Sequence, residues 1–114
     1  MAGYLTTHVL DTARGCPAPG IAITLYRLSE DARVKIAEAV TNADGRTDAP
    51  ILPQDTFKTG DYELVFMTGA YLQSHALPTD FLSTIPIRFS MTEDDHYHVP
   101  LLLSPFGYST YRGS

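Results

Sequence analysis

The sequence predicts an all-β protein: a sandwich of two antiparallel sheets with about eight strands and one short helix. Most of the chain consists of short segments in which apolar and polar residues alternate, as they do when one face of a strand is buried. Eight glycines and eight prolines punctuate the chain, and only one stretch is predicted to be helical. With 114 residues, the chain predicts a single domain spanning residues 1–114.

The N-terminal part is predicted to form three strands, at residues 5–10, 21–26 and 34–40. In the first strand Leu5 and Val9 share one face, so His8 is expected to point away from the core. The third segment contains alanine and glutamate, which favour helix. Val34 and Val40, however, share a parity with the isoleucine between them, and this pattern favours a strand.

The middle of the chain is predicted to form a turn, a very short strand, a longer strand and the single helix, at residues 41–45, 46–47, 62–67 and 70–77. Gly45 can adopt the positive φ of a tight turn, which positions Arg46. Pro78 ends the helix because the residue before a proline disfavours helical backbone. A strand follows at residues 85–91, and its early Pro86 favours an edge position or the start of a strand.

The last two strands are predicted at residues 96–103 and 108–112, after an acidic turn at residues 93–95. One face of the first of these strands carries apolar residues expected in the core: Tyr97, Val99, Leu101 and Leu103. The other face carries His96, His98, Pro100 and Leu102. Because apolar groups on an outer face usually indicate a binding partner, this face predicts half of a pocket or an interface.

Composition restricts the partners of the protein. Acidic residues number 13 and basic residues 8, without a basic cluster, which argues against nucleic acid and membrane surfaces as partners. If the substrate is an anion, Arg46 and Arg112 are the candidates to bind it. The single Cys16 excludes an internal disulfide. No segment resembles a signal peptide or a membrane span, so the cytoplasm is the expected location.

Strand parity allows three polar residues that are distant in sequence to meet: His8, Arg46 and His98, with Tyr111 arriving from the last strand. Hydrolysis of a carbonyl or imine-like carbon needs a base that titrates near neutral pH and a cation where negative charge develops. On the residues alone, ordinary surface histidines and a solvent-exposed arginine remain the more common explanation. A zinc site built from His8, His96 and His98 is a further alternative, although no Cys, Asp or Glu completes a recognisable spacing.

The two ends of the sequence carry a family resemblance. The C-terminal part reads H-V-P-L-L-L-S-P at residues 98–105 and Y-S-T-Y-R-G-S at residues 108–114. The N-terminal part reads L-T-T-H-V-L-D at residues 5–11, and D-G-R stands between them at residues 44–46. Over nearly the whole chain, these motifs resemble those of the transthyretin-related 5-hydroxyisourate hydrolases.

The resemblance implies a transthyretin-like sandwich that hydrolyses 5-hydroxyisourate, the product of urate oxidation, to 2-oxo-4-hydroxy-4-carboxy-5-ureidoimidazoline, with no cofactor and no metal. It implies that His8, Arg46 and His98 are catalytic. The implied substrate-binding residues are His8, Arg46, Tyr111, Arg112 and Ser114. The identity of the water-activating histidine stays open. We favour His98 as the base, His8 as an orienting or proton-relaying partner, and Arg46 as the group that holds a substrate oxygen.

The same resemblance implies a homotetramer, a dimer of dimers, with the sites at the dimer–dimer interface. The alternative function is that of a noncatalytic carrier of a small aromatic ligand, as in transthyretin itself. Fold alone does not separate the two functions. A carrier of a large aromatic ligand needs a longer apolar channel, whereas the two histidines and the arginine would make a short polar pocket.

Overall fold

The computed structural model describes residues 3–113. Its elements in chain order are β1 (Tyr4–Asp11), β2 (Cys16–Pro17), β3 (Ala22–Leu28), β4 (Arg33–Val40), β5 (Gly60–Met67), α1 (Gly69–Ser74), β6 (Ile85–Met91), β7 (His96–Ser104) and β8 (Gly107–Thr110), with a 3₁₀ turn at Gln54–Thr56. No helix within residues 3–113 is long and apolar enough to cross a membrane.

The strands form two four-stranded sheets, in the orders β2-β1-β7-β8 and β4-β3-β5-β6. This arrangement confirms the predicted sandwich of eight strands with one short helix. The pairs are antiparallel except for β1 and β7, which run parallel from Tyr4 beside His96 to Asp11 beside Leu103. These two strands come from opposite ends of the chain, so no hairpin fixes their relative direction.

The apolar core lies between the two sheets and buries side chains from both. Its fully buried members include Leu5, Val9, Leu101 and Leu103 from the first sheet and Ile23, Leu25, Leu64 and Phe66 from the second. Burial alternates strictly along β1, and along β7 it alternates except at Pro100, which is also buried. His8 and His98 are therefore half-buried on the face turned away from the core, as the parity of their strands predicted.

Several element boundaries differ from the predictions. Residues 34–40 do form a strand, in which Ala37 and Ala39 pack against the core while Val40 is 59% exposed. The helix ends at Ser74, earlier than predicted, and β8 ends at Thr110. The two-residue strand β2 and the 3₁₀ turn were not predicted, and the very short strand predicted at residues 46–47 is an isolated bridge between Arg46 and His8. Segments of two or three residues carry too little periodicity to be assigned.

Candidate active site

The outer face of the first sheet brings together residues from both ends of the chain. In the parallel pair of β1 and β7, Thr6 lies beside His98 and His8 lies beside Pro100. Since successive side chains alternate, the even-numbered residues of both strands point to the same side, away from the core. The rings of His8 and His98 consequently lie close together, with centroids 6.1 Å apart.

Arg46 reaches this face through the turn that precedes it. Gly45 has a φ of 75°, and a Cβ atom there would collide with the carbonyl oxygen of Val9, so the turn requires glycine. The side-chain oxygen of Asn42 accepts a hydrogen bond from the backbone amide of Arg46 at 3.2 Å. Arg46 then forms a backbone bridge with His8. Its exposed side chain is available to a ligand.

The surroundings of the two histidines favour their neutral forms. Burial lowers the pKa of His8 below its ordinary value of 6.5, and the charge of Arg46 lowers it further, while Asp44 raises it in part. Burial also lowers the pKa of His98, and Arg46, His8 and His96 add to that shift. Each imidazole therefore has an unprotonated nitrogen at pH 7, as a general base requires. A guanidinium beside these rings can stabilise a developing oxyanion.

Thr6 connects His98 to a third histidine. Its Oγ1 lies 2.8 Å from Nδ1 of His98 and 2.8 Å from Nε2 of His96. The ring of His96 is itself stacked on Tyr4, with centroids 4.1 Å apart and planes inclined by 5°. No role was predicted for Thr6, although the sequence held a signal for it. Thr6 precedes His8 by two residues and so shares its face.

The last described residues pack against His98. The amide of Gly113 donates a hydrogen bond to the carbonyl oxygen of His98 at 2.6 Å. A Cβ atom on Gly113 would lie 2.8 Å from Cδ2 of His98, which is closer than carbon atoms approach in ordinary contact. Gly113 belongs to the motif that carries the family resemblance, but no role was predicted for it.

Two of the predicted substrate-binding residues have other neighbours within the chain. The guanidinium of Arg112 lies 4.1 Å from the ring centroid of Tyr97 and donates to the carboxylate of Asp95 at 3.4 Å. Tyr111 is 57% exposed, and together with Arg112 it lines a cavity of about 230 Å³ beside β6 and β7. Substrate contact by these two side chains stays a prediction. Ser114, another of the five predicted substrate-binding residues, lies outside the described residues.

The alternative of a zinc site gains no support from the geometry. Within residues 3–113, no group of three His, Cys, Asp or Glu side chains is arranged to hold a metal ion. In the alternative set of His8, His96 and His98, the Nδ1 atom of His98 and the Nε2 atom of His96 are both engaged by Thr6. These nitrogens would have to leave the hydroxyl in order to ligate a metal.

The fold and the site together define a class of protein: a two-sheet β-sandwich with a histidine–arginine site on the outer face of one sheet. The chain belongs to the HIUase/Transthyretin family, whose family model matches residues 5–113. This membership confirms the resemblance seen in the sequence. A 5-hydroxyisourate hydrolase from Mesorhizobium japonicum is 59% identical over 115 residues, which cover 98% of this chain and 93% of the relative.

Solved structures show the same fold. The chain matches (S)-allantoin synthase with a TM-score of 0.92 and 48% identity, over 99% of its own length but only 44% of that longer chain. It matches the 5-hydroxyisourate hydrolase of Klebsiella pneumoniae with a TM-score of 0.83 and 38% identity, over 98% and 99% of the two chains. Sea bream transthyretin in complex with thyroxine is 30% identical, with a TM-score of 0.86 over 96% and 93% of the two chains.

Proposed function

We propose that the protein is a 5-hydroxyisourate hydrolase, which opens the six-membered ring of its substrate with water to give 2-oxo-4-hydroxy-4-carboxy-5-ureidoimidazoline. The observation that carries this proposal is the grouping of His8, His98 and Arg46, in which burial and a nearby cation lower the pKa of both imidazoles. The 59% identity to a hydrolase of this name, over almost the whole chain, supports the same substrate.

His98 is the general base. Its Nδ1 atom is engaged by Thr6, so Nε2 is the nitrogen that can accept a proton from water. The resulting hydroxide attacks a carbonyl carbon of the substrate ring, and one proton passes from water to Nε2. A positioned base of this kind contributes about 10²–10⁴ in rate.

Arg46 and His8 complete the site. The guanidinium of Arg46 holds the substrate oxygen on which negative charge develops, and one such donor is worth roughly 3 kcal/mol in the transition state. The ring centroid of His8 lies 6.1 Å from that of His98. It orients the substrate or relays a proton to the ring nitrogen that leaves when the C–N bond breaks.

The test is the decay of freshly generated 5-hydroxyisourate, followed by absorbance with and without the protein. We expect the wild type to accelerate the decay and His98→Asn to lower kcat by about 10²-fold or more, because the amide cannot take a proton at neutral pH. His75→Asn is the matched control. His75 caps the end of α1, with its ring tilted against that of Tyr71 at a centroid distance of 4.4 Å, and its loss should leave kcat unchanged. A wild-type protein that does not accelerate the decay would refute the proposal.

The family also contains transthyretin, so the carrier function needs its own test. The sea bream relative was solved with thyroxine bound, and binding of thyroxine to this chain can be measured by isothermal titration. We expect no binding at the outer face of the first sheet, because the polar pair of His8 and His98 with Arg46 replaces the apolar wall that an iodinated aromatic requires. Tight binding together with an absence of hydrolysis would favour the carrier.

Assembly, domain organisation and location extend the proposal. The chain forms a single domain, supported by one continuous core, and it assembles as a homotetramer whose sites lie where dimers meet. Leu102 is half-buried on the same face as His98, and Phe106 on the adjoining hairpin is 63% exposed, as expected for a contact surface.

The free Cys16 suits a reducing compartment, so we place the protein in the cytoplasm. Light scattering and cell fractionation test the assembly and the location.

A further inference from the structure

The hydroxyl of Thr6 lies between two imidazole nitrogens. Nδ1 of His98 and Nε2 of His96 are each 2.8 Å from Oγ1. The backbone carbonyl of Tyr97 is the next nearest acceptor, at 3.5 Å, which is too far for a strong hydrogen bond. Thr6 therefore distributes its hydrogen bonds between these two rings.

A hydroxyl has a single proton to donate, and this restricts the protonation of both rings. In one arrangement Thr6 donates to His96 and accepts from His98, so His98 carries its proton on Nδ1 and leaves Nε2 unprotonated. In the other arrangement Thr6 donates to His98 and accepts from His96, so the proton of a neutral His98 sits on Nε2. Only the first arrangement leaves an unprotonated nitrogen of His98 for water.

In the first arrangement, the hydrogen bond between Thr6 and His98 also persists when His98 takes up a proton during the reaction. When Nε2 of His98 takes a proton from water, the ring becomes an imidazolium that must donate from both nitrogens. Nδ1 already donates to Thr6 in the first arrangement, whereas in the second the hydroxyl would have to turn around. His96 is held in place to accept from Thr6, because its ring stacks on Tyr4 at 4.1 Å and its backbone amide donates to the carboxylate of Asp95 at 2.8 Å.

We propose that Thr6 and His96 are positioning residues that together fix His98 as the Nδ1–H tautomer, with Nε2 free to act as the base. This inference rests on the proposed function, in which His98 is the base. The arrangement of His98, Thr6 and His96 is comparable to that in other enzymes, where a partner hydrogen-bonded to the second nitrogen of a histidine orients its ring. Here the partner is a neutral hydroxyl whose own direction is set by a second imidazole.

The tautomer can be read directly by long-range ¹H–¹⁵N correlation spectra of the histidine rings, above the ordinary histidine pKa of 6.5. In the wild type, we expect His98 to carry its proton on Nδ1. Thr6→Val keeps the shape of the side chain but removes the acceptor, so the proton should shift toward Nε2. His96→Phe keeps an aromatic ring on Tyr4 but removes the acceptor for Thr6, so the hydroxyl turns to His98 and produces the same shift.

The turnover number kcat should fall in every variant that shifts the tautomer of His98. Orienting partners of a functional histidine at metal sites are worth about 10–100-fold, and we expect a loss of kcat of this order in Thr6→Val and in His96→Phe with little change in KM. Because both variants remove the same effect, the double variant should lose little more than either single one. Thr6→Ser restores the hydroxyl and should restore the Nδ1–H tautomer together with most of the activity.

Thr7→Val is the matched control on the neighbouring residue. The hydroxyl of Thr7 donates to the carbonyl of Val99 at 2.8 Å on the buried face of the same strands, so its loss should lower the melting temperature but leave the His98 tautomer and kcat unchanged. A wild-type His98 protonated on Nε2 would overturn the inference, as would a Thr6→Val variant with the wild-type tautomer and kcat. If His98 has the expected tautomer but the wild type does not hydrolyse 5-hydroxyisourate, the proposed function fails and the tautomer assignment stands.

Discussion

Replacing Gly113 by alanine should displace the side chain of His98 and so lower the activity. An added Cβ would lie 2.8 Å from Cδ2 of His98, and 3.3 Å from both Cβ and Cγ of the same side chain. Gly113 cannot simply move away, because its amide donates to the carbonyl oxygen of His98 at 2.6 Å. Either the imidazole or the C-terminal segment must therefore shift.

The size of the shift follows from ordinary contact distances. Carbon atoms in contact are separated by about 3.5–4.0 Å, so the ring and the new methyl group must separate by roughly a further 1 Å. A misplacement of about 1 Å in a reacting group can cost on the order of 10² in rate. We expect Gly113→Ala to lower kcat by about 10–100-fold. Because Gly113 does not belong to the apolar core, the melting temperature should change little.

Gly107→Ala is the control for this variant. The nearest atom to an added Cβ there is Oγ of Ser104, at 3.7 Å, and Gly107 needs no left-handed backbone. Both variants are assayed by 5-hydroxyisourate decay and by thermal melting. Wild-type kcat in a folded Gly113→Ala protein would show that the ring of His98 tolerates displacement, and would contradict its assignment as the base.

Three further predictions concern charge, pH and assembly. Arg46→Lys keeps the positive charge but loses the planar fork, so kcat/KM should fall while the pH profile stays in place; unchanged kinetics would remove Arg46 from the site. Since the folded-state pKa values of His8 and His98 lie below 6.5, activity should be constant above pH 6.5 and decline only below it. Below pH 6.5 the two histidines therefore bind more protons in the unfolded chain than in the folded one. The melting temperature should consequently fall as the pH is lowered below 6.5. Leu102→Glu buries a charge at the proposed dimer–dimer contact, at a cost of several kcal/mol per tetramer; light scattering should show inactive dimers, and fully active dimers would refute the interface.

Much of the fold was predictable because burial alternates with sequence parity. The segments containing Leu5 and Val9, and Tyr97 and Val99, were assigned to the core from their period of two, and these residues are buried. Residues 34–40 were correctly predicted as a strand despite their helix-forming residues. The parallel direction of β1 and β7 was not predictable, because no local turn joins these strands.

The candidate site, like the fold, contains residues that were predicted from the sequence and residues that were not. His8, Arg46 and His98 were predicted from their residue types and from the family motifs, and the structure places them on one face. Thr6 and Gly113 were missed. The roles proposed for them depend on contacts with His98 across the sheet, and neither residue type by itself indicates catalysis.

The sequence by itself determined which face of β1 and of β7 is buried, where most of the turns fall, and which side chains can carry acid–base chemistry. These properties depend on neighbours along the chain, within reach of backbone periodicity and turn stereochemistry. Only the tertiary structure decided which nitrogen of His98 is engaged, because that depends on the register between β1 and β7. This register places Thr6 beside His98 across a separation of 92 residues, and a shift of one residue would have turned the hydroxyl to the opposite face of the sheet.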